Sequence, residues 1–327
     1  MAHPSKVSVI IPSFNGHQVI GDALRSLRET GYPALEILIV DDGSREETLD
    51  ALRRLEGEYP ATVRVLRHPD GGNHGQGASR NLGIREASGD YVCFLDQDDC
   101  VLPHRFTAAV AILDANPTVD GVYERTTTQI LEGGESRIGR VRTEFIFECD
   151  DPDRVLEKIV TEGKVWHTPA ILLRRAKVVP TGGFSEVNRF CEDLVLWLKL
   201  AGTTRLVRGS DNPVAVYRVH AHNISTKKSR DETLVGTYLA YLEAYAWYRR
   251  QRAPAEKLGL LRRSVRGQLY YACSLFRSEA NPRRAIDLLL RSGSLDPPVL
   301  VTRKFWANLI RSLYEAGMRG GGSPAGT

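Results

Sequence analysis

Along the first hundred residues, short apolar runs alternate with segments whose apolar positions recur every three or four residues. Val7–Ile11 and Glu36–Val40 are runs of the first kind, and Val63–Arg67 and Tyr91–Leu95 are predicted as a third and a fourth strand. Such runs, rich in β-branched residues, are expected of strands buried on both faces. His17–Thr30 places Val19, Ile20, Ala23, Leu24 and Leu27 at helical spacing. Arg45–Leu55, Ala78–Ala87 and Pro103 to about Ala115 are predicted as further helices. This strand–helix alternation predicts an α/β fold with a mainly parallel sheet covered by helices on both faces.

Beyond Val119 the pattern changes. Val119–Arg142 predicts short strands about a Gly133-Gly134 turn, and so an antiparallel portion. A helix over Asp153–Thr161, a strand over Ala170–Arg175, a helix over Glu192–Ala201 and a last strand over Val214–Arg218 follow. After Ser225 only helical periodicity remains, over about Glu232–Arg252, Ala255–Ser278, Pro282–Arg291 and Val299–Ala316. The expected organisation is an α/β domain over 1–226, a helical region over 227–318 and a Gly/Ser-rich disordered tail over 319–327.

Composition narrows the class. With 327 residues, 42% hydrophobic and 26% charged, the chain suits a soluble globular protein of one large domain and an appendage. No stretch approaches the roughly 20 apolar residues of a membrane span. The sequence enters its first strand pattern directly after Lys6, so no secretory signal is expected. The five cysteines are scattered and form no C-x-x-C pair, as expected of reduced thiols in a cytoplasmic protein without a zinc site. The net charge of +4 is uneven: from Lys227 onward 18 Lys and Arg face 8 Asp and Glu, a net +10, leaving −6 for the rest. A basic back end suits phosphate-bearing partners or the inner face of an anionic membrane, or simply solvated helix faces.

In an open parallel sheet, ligands bind beyond the carboxyl ends of the strands. Polar clusters stand at such ends: Pro12-Ser13-Phe14-Asn15 after the first strand, Asp41-Asp42-Gly43-Ser44 after the second, Asp96-Gln97-Asp98-Asp99 after the fourth. On an extended segment Asp96 and Asp98 project to the same side, and two carboxylates facing one point call for a cation. Oxygen ligands with open positions suit Mg²⁺ or Mn²⁺ bridging to a diphosphate. An EF-hand does not fit, because Cys100 falls where its third ligand belongs and Pro103 opens a helix too soon. An Asx-turn capping that helix is the structural alternative, with Asp99 as the cap.

Gly75-Gln76-Gly77 half-fits a dinucleotide fingerprint, but Arg80 stands where the third glycine belongs, and no Gly-Lys-Ser/Thr follows. The segment is better taken as a loop delivering Arg80 and Asn81 to a phosphate or ribose at a helix start. Glu192-Asp193 opens a helix, where acidic residues also suit the dipole. Neighbours there point about 100° apart, so only one can face a site. His220 ends the last strand, while Trp166 and His167 either contact a substrate or pack.

Val7–Asn15, Val40–Ser44, Ala78–Gly83 and Phe94–Asp99 resemble, in order and spacing, family 2 glycosyltransferases of the GT-A fold. Gly182-Gly183-Phe184, Glu192-Asp193 and Tyr217–His220 resemble that family's glycine-rich turn, acidic base motif and C-terminal histidine. The resemblance spans about Lys6 to Ser225 and implies a nucleotide-binding half over about 1–118 and an acceptor-binding half over 119–226. It implies that Pro12, Ser13, Asn15, Arg80, Asn81 and Gln97 line the nucleotide-sugar site. Asp42, with Asp41, would receive the imide N–H of uracil or thymine. Asp98 would be the main ligand of Mn²⁺ or Mg²⁺, with Asp96 near ribose and metal and His220 close by. Asp193 would be the general base, supported by Glu192, with Trp166, His167 and Gly183 on the acceptor side. Phe190 and Cys191 precede that pair where many relatives carry smaller residues, which implies a differently shaped acceptor pocket.

The implied activity is inverting transfer of a sugar from a UDP- or dTDP-sugar to a saccharide, lipid-linked or other hydroxyl acceptor. A nucleotidyltransferase is disfavoured because Ser13-Phe14-Asn15-Gly16 supplies no triphosphate loop; a Rossmann oxidoreductase is disfavoured by Arg80. A catalytically silent binding protein of the same fold is the alternative from another class, and Asp96, Asp98 and Asp193 argue against it. No nucleic-acid partner is expected. Peripheral membrane contact through the basic helices and a homo-oligomer are compatible with the sequence.

Overall fold

The structure, a computed structural model, describes residues 3–132, 135–138, 148–220, 223, 229–278, 283, 285–287, 289–290 and 303–320. The Gly133-Gly134 turn, residues 139–142 of the antiparallel region, parts of the helices predicted over Pro282–Arg291 and Val299–Ala316, and the tail beyond Gly320 lie outside the described residues. The chain divides into two compact units, Met1–Lys227 and Lys228–Thr327.

The first unit is built on a nine-stranded sheet. Its parallel half has the order β3-β2-β1-β4, with β1 Val7–Ser13, β2 Leu35–Asp41, β3 Val63–Arg67 and β4 Tyr91–Phe94. The connections are α1 Ile20–Glu29, α2 Glu46–Glu58 and α3 Gln76–Glu86. Val7, Val9, Ile11, Ile37 and Ile39 are fully buried and share one cluster with Ile20, Ala23, Leu24 and Leu27 of α1. Each such side chain contributes about 1.5–3 kcal/mol, which is why the apolar runs are strands held on both faces. Register then places the chemistry: Ser13 pairs with Asp41, so the polar clusters after β1 and β2 leave the sheet side by side.

One charged residue is built into this half. Glu36, 7% exposed on β2, accepts hydrogen bonds from Ser8 Oγ, Ser88 N and Ser88 Oγ and pairs with Lys6 at 3.3 Å. Burial pushes its carboxyl pKa up, but these donors outweigh that and hold it at about 2.

The sheet continues through β5 Cys100–Val101, β6 Gly121–Glu132, β7 Glu135–Ile138, β8 Ile171–Arg174 and β9 Leu206–Val219, in the order β4-β8-β6-β9-β5 with β7 on β6. β8 is antiparallel to both β4 and β6, and β7 is antiparallel to β6. β6 and β9, however, run parallel. The antiparallel expectation for this region therefore holds only in part, because the chain returns to β6 through a helical connection before entering β9. That strand also starts at Leu206 rather than Val214. Residues 209–212, Gly-Ser-Asp-Asn, look like a turn in sequence but form an irregularity inside the strand, with register jumping from Tyr123↔Arg208 to Arg125↔Pro213. The remaining helices are α4 Thr107–Ala115, α5 Val155–Glu162, α6 Arg175–Val178 and α7 Glu192–Ala201. α4 begins four residues later than Pro103, after a turn, and the two-residue β5 is too short to leave a periodic signal.

The second unit contains α8 Arg230–Arg250, α9 Ala255–Ser278 and α10 Arg303–Gly320. α8 opens with a capping box: Ser229 Oγ accepts from Glu232 N, and the Glu232 carboxylate accepts from Ser229 N. Tyr238, Tyr241 and Tyr248 of α8, Leu261, Leu269 and Phe276 of α9, and Phe305 of α10 are buried. Among the described residues no helix is long and apolar enough to cross a membrane.

Candidate active site

The loops beyond β1 and β2 are tied to one another by their own polar side chains. Asn15, at φ 50°, accepts from Arg45 N at 3.0 Å and donates its N–H to Ser44 Oγ at 2.9 Å. Asp41 is fully buried, 3.2 Å from Arg67 Nε, and accepts the Ser44 N–H. Asp42 is 4% exposed and accepts backbone N–H groups from His74 at 2.7 Å and from Gly75 at 2.9 Å. Both aspartates expected at the base thus meet protein donors, and Asp42 clamps the glycine-rich loop. His68 lies 3.5 Å from Asp42 with its ring centre 4.4 Å from that of His74, the rings tilted by 38°; burial first, then the His74 charge, lowers its pKa.

Pro12 and Ser13 are buried at the end of β1. Ser13 Oγ and Phe14 N both donate to Gln97 Oε1, and Gln97 Nε2 donates to Phe14 O at 3.2 Å. Gln97 therefore copies a backbone pairing across the two loops. Phe14 itself is 47% exposed. It was not among the sequence-derived site residues, although its place between Ser13 and Asn15 marks it.

Past β4 the carboxylates diverge. The segment turns, with Asp99 N donating to Asp96 O at 3.0 Å, so the alternation that would aim Asp96 and Asp98 together does not apply. Asp96 meets Arg80, whereas Asp98 lies 3.0 Å from His220 Nε2 and 3.3 Å from Asn223 Nδ2. The two remain close enough for charge to matter: burial first, and Asp96 second, raise the Asp98 pKa. Asp99 is not a cap for α4. It is 1% exposed and accepts Arg218 N at 2.9 Å, fastening the end of β9, and its pKa is raised mainly by burial, then by Asp96 and Asp98. Asn223, whose Nδ2 also donates to Arg218 O and whose Oδ1 accepts His220 N, was missed. Its only sequence signal is its spacing of three residues from His220.

Arg80 joins the two sides of this region. Its guanidinium, 2% exposed, donates to Asp96 at 2.6 Å, Glu192 at 3.0 Å and Gln76 at 3.1 Å. Burial alone would lower its pKa, but the charges of Asp96 and Glu192 push it up. A guanidinium so engaged is a bridge between carboxylates rather than an open phosphate donor. Asn81 is likewise structural here: its Oδ1 accepts Phe184 N and its Nδ2 donates to Phe184 O and Glu186. A Cβ on Gly183, at φ 74°, would stand 2.1 Å from that Oδ1. Glycine is needed there for close approach, which places Gly183 in a scaffold. Gly77 has the same reason, with Ser185 O at 2.1 Å from a built Cβ.

Glu192 is buried and Asp193 is half-buried at the start of α7, as the 100° step implies. Trp166 is 2% exposed, stacked on Tyr123 with ring centres 5.3 Å apart and edge-on to Trp197, so it packs in the core. His167 is half-buried, its Nδ1 2.8 Å from Thr126 Oγ1 and its ring 5.3 Å from Tyr217.

The donor set at the β4 end suits a hard divalent cation, since burial and the neighbouring Asp96 raise the cost of ionising Asp98 and a histidine nitrogen adjoins it. Among the described residues no three His, Cys, Asp or Glu side chains already surround one point. An ion here would therefore depend on ligand oxygens to complete its shell, as Mg²⁺ and Mn²⁺ do at diphosphates.

Residues 8–161 match the model of the family described as Glycosyl transferase family 2. An uncharacterized glycosyltransferase of Haemophilus influenzae is 28% identical over 195 residues, covering 59% of this chain and 61% of that protein. One from Nostoc sp. is 29% identical over 231 residues, covering 67% and 66%. The poly(ribitol-phosphate) beta-N-acetylglucosaminyltransferase TarS of Staphylococcus aureus is 32% identical over 111 residues, covering 33% of this chain and 19% of that protein. The chain spans less than two thirds of the length of these relatives. The structure of S. aureus TarS 1-349 in complex with UDP matches with a TM-score of 0.66 at 21% identity, over 97% of this chain and 92% of that one. A Pyrobaculum calidifontis mannosyltransferase in complex with GDP-Man and Mn²⁺ matches with a TM-score of 0.53 at 18% identity, over 97% and 87%. At these identities the likeness shows the fold, which is GT-A-like: a mixed, mostly parallel sheet flanked by helices, with a helical C-terminal region.

Proposed function

We propose that this chain, whose residues 8–161 match the glycosyl transferase family 2 model, transfers a sugar from a nucleotide-diphosphate donor, a UDP- or dTDP-sugar, to an acceptor hydroxyl with inversion. The observation that carries this reading is the meeting of Asp96 and Glu192 on the buried Arg80, with Asp98 and His220 on one side and Asp193 on the other. A donor-side carboxylate cluster and an acceptor-side carboxylate pair are thus held in one frame.

The acceptor hydroxyl has a pKa far above neutrality and must lose its proton as it attacks. Asp193, half-buried and next to the fixed Glu192, receives that proton; such a base is worth roughly 10²–10⁴-fold. Glu192 and Arg80 position it. The acceptor oxygen bonds to the anomeric carbon as the bond to the diphosphate oxygen breaks on the opposite face. Mn²⁺ or Mg²⁺, when held by Asp98 with Asp96 and His220, supplies positive charge against the departing nucleoside diphosphate. Pro12, Ser13, Asn15 and Gln97 shape the nucleotide pocket, and Asp41 and Asp42 act there by holding its loops. His167 is the polar group of the acceptor side, for which a saccharide or lipid-linked hydroxyl is proposed. A TarS structure holds UDP and another holds UDP-GlcNAc, which supports a uridine donor.

Thermal unfolding across a panel of nucleotide-sugars, with and without Mn²⁺, tests this reading. A donor at about 100 times its Kd adds about 2.7 kcal/mol, a clear rise in Tm. A rise confined to UDP- or dTDP-sugars and dependent on Mn²⁺ is expected, and no rise with any nucleotide-sugar would refute it.

A further inference from the structure

One side of α10 is buried and another is exposed. Phe305, Leu309 and Ser312 are buried, whereas Trp306, Ile310 and Leu313 are 50%, 63% and 52% exposed. Spacings of four and three residues put these three in a single stripe. Isolated exposed apolar residues are ordinary, but a row of them on one helix marks a surface that meets something. Trp306 is the exposed tryptophan among four, since Trp166 and Trp197 are buried and Trp247 is half-buried.

Charge says what the surface meets. Lys304 and Arg311, seven residues apart and both exposed, form a second row on the same helix, with Lys304 Nζ 4.8 Å from the centre of the Tyr270 ring. α10 carries Arg303, Lys304, Arg311 and Arg319 against Glu315 alone. From Lys227 onward the net charge is +10. A second copy would bring the same strong positive charge to the contact, so self-association through this stripe is opposed. A nucleic acid offers phosphates for the basic row but no apolar layer for Ile310 and Leu313. An anionic lipid surface answers both rows, taking the apolar stripe into the acyl boundary and the cations at the headgroups. Tryptophan favours that boundary because its ring is apolar and its N–H polar.

We propose that α10 lies on anionic membranes, with Trp306, Ile310 and Leu313 as its apolar contact and Lys304 and Arg311 as headgroup partners. This holds whatever donor and acceptor the first unit uses.

Flotation of the full chain with vesicles of phosphatidylcholine alone, and of phosphatidylcholine mixed with phosphatidylglycerol, tests it. The wild type is expected on the mixed vesicles, less so at high salt, with Trp306 emission shifting to shorter wavelength. A variant carrying Trp306→Ser, Ile310→Ser and Leu313→Ser, all solvent-exposed changes, is expected to keep its circular dichroism and lose binding at least about tenfold. Absence of wild-type flotation, undiminished flotation of the variant, or equal binding to neutral vesicles would overturn the proposal. So would a fall in oligomer size in the variant without loss of flotation, which would assign the stripe to a second copy.

Discussion

The carboxylates at the ends of β2 and β4 leave the same end of the sheet on either side of β1, yet their surroundings differ. Asp41 and Asp42 are buried and surrounded by N–H donors from Arg67, Ser44, His74 and Gly75. Asp96 and Asp98 are half-buried and face side-chain partners, Arg80 and His220. Glu36 illustrates the first condition at its extreme: a carboxylate richly supplied with donors, its pKa held at about 2. Asp98 illustrates the second, since burial and a like charge push its pKa up. A carboxylate that the backbone has already satisfied holds a loop. One left short of positive charge is available for a cation or a proton.

The contrast can be broken most sharply at Asp193, the half-buried member of the proposed acceptor-side pair. Asp193→Asn is expected to lower the transfer rate by roughly 10²–10⁴-fold while donor binding stays within about twofold. Full activity in that variant, measured by release of nucleoside diphosphate with acceptor present, would remove the base assignment.

The scaffold carboxylates have an acid signature instead. The folded Glu36 pKa lies below its ordinary value of 4.5, so its contribution is complete above about pH 4.5 and is lost as the pH falls toward 2. The loss is about 3 kcal/mol for a shift of this size. Urea titrations of the wild type and Glu36→Gln down this pH range should converge as the pH drops; parallel curves would show that Glu36 is not the source.

A smaller effect is expected at Asp42. Asp42→Asn replaces an acceptor oxygen with an N–H₂ facing Gly75 N, costing about 2 kcal/mol. The released loop should raise the donor KM up to about tenfold and leave kcat nearly unchanged. A fall in kcat with KM intact would mean that Asp42 belongs with the reacting groups.

Much of this was legible in the sequence. The buried strands β1, β2 and β4 of the parallel half follow from Val7–Ile11 and its counterparts because an apolar β-branched run has few other uses, whereas β3 buries only Val63. The polar clusters are found at strand ends by the same reasoning. What the pattern did not carry is contact between distant residues. Arg80 was taken as a phosphate donor because it starts a helix, and its two carboxylate partners lie 16 and 112 residues away. Gly183 was set on the acceptor side, although its lack of a side chain serves Asn81. The parallel pairing of β6 with β9 was hidden by the Gly-Ser-Asp-Asn irregularity, whose composition is that of a turn. Trp166 illustrates the same limit, since an aromatic before Thr-Pro gives no sign of whether it will stack in a core.

The proposed function depends most directly on the β4-end carboxylates as the place where a cation would join protein to diphosphate. Calorimetric titration of UDP with and without Mn²⁺, on the wild type and on Asp98→Asn, measures that join. Mn²⁺ is expected to tighten UDP binding at least about tenfold in the wild type and to have little effect in Asp98→Asn. Equal affinity with and without Mn²⁺ in the wild type, or an undiminished Mn²⁺ effect in Asp98→Asn, would contradict it.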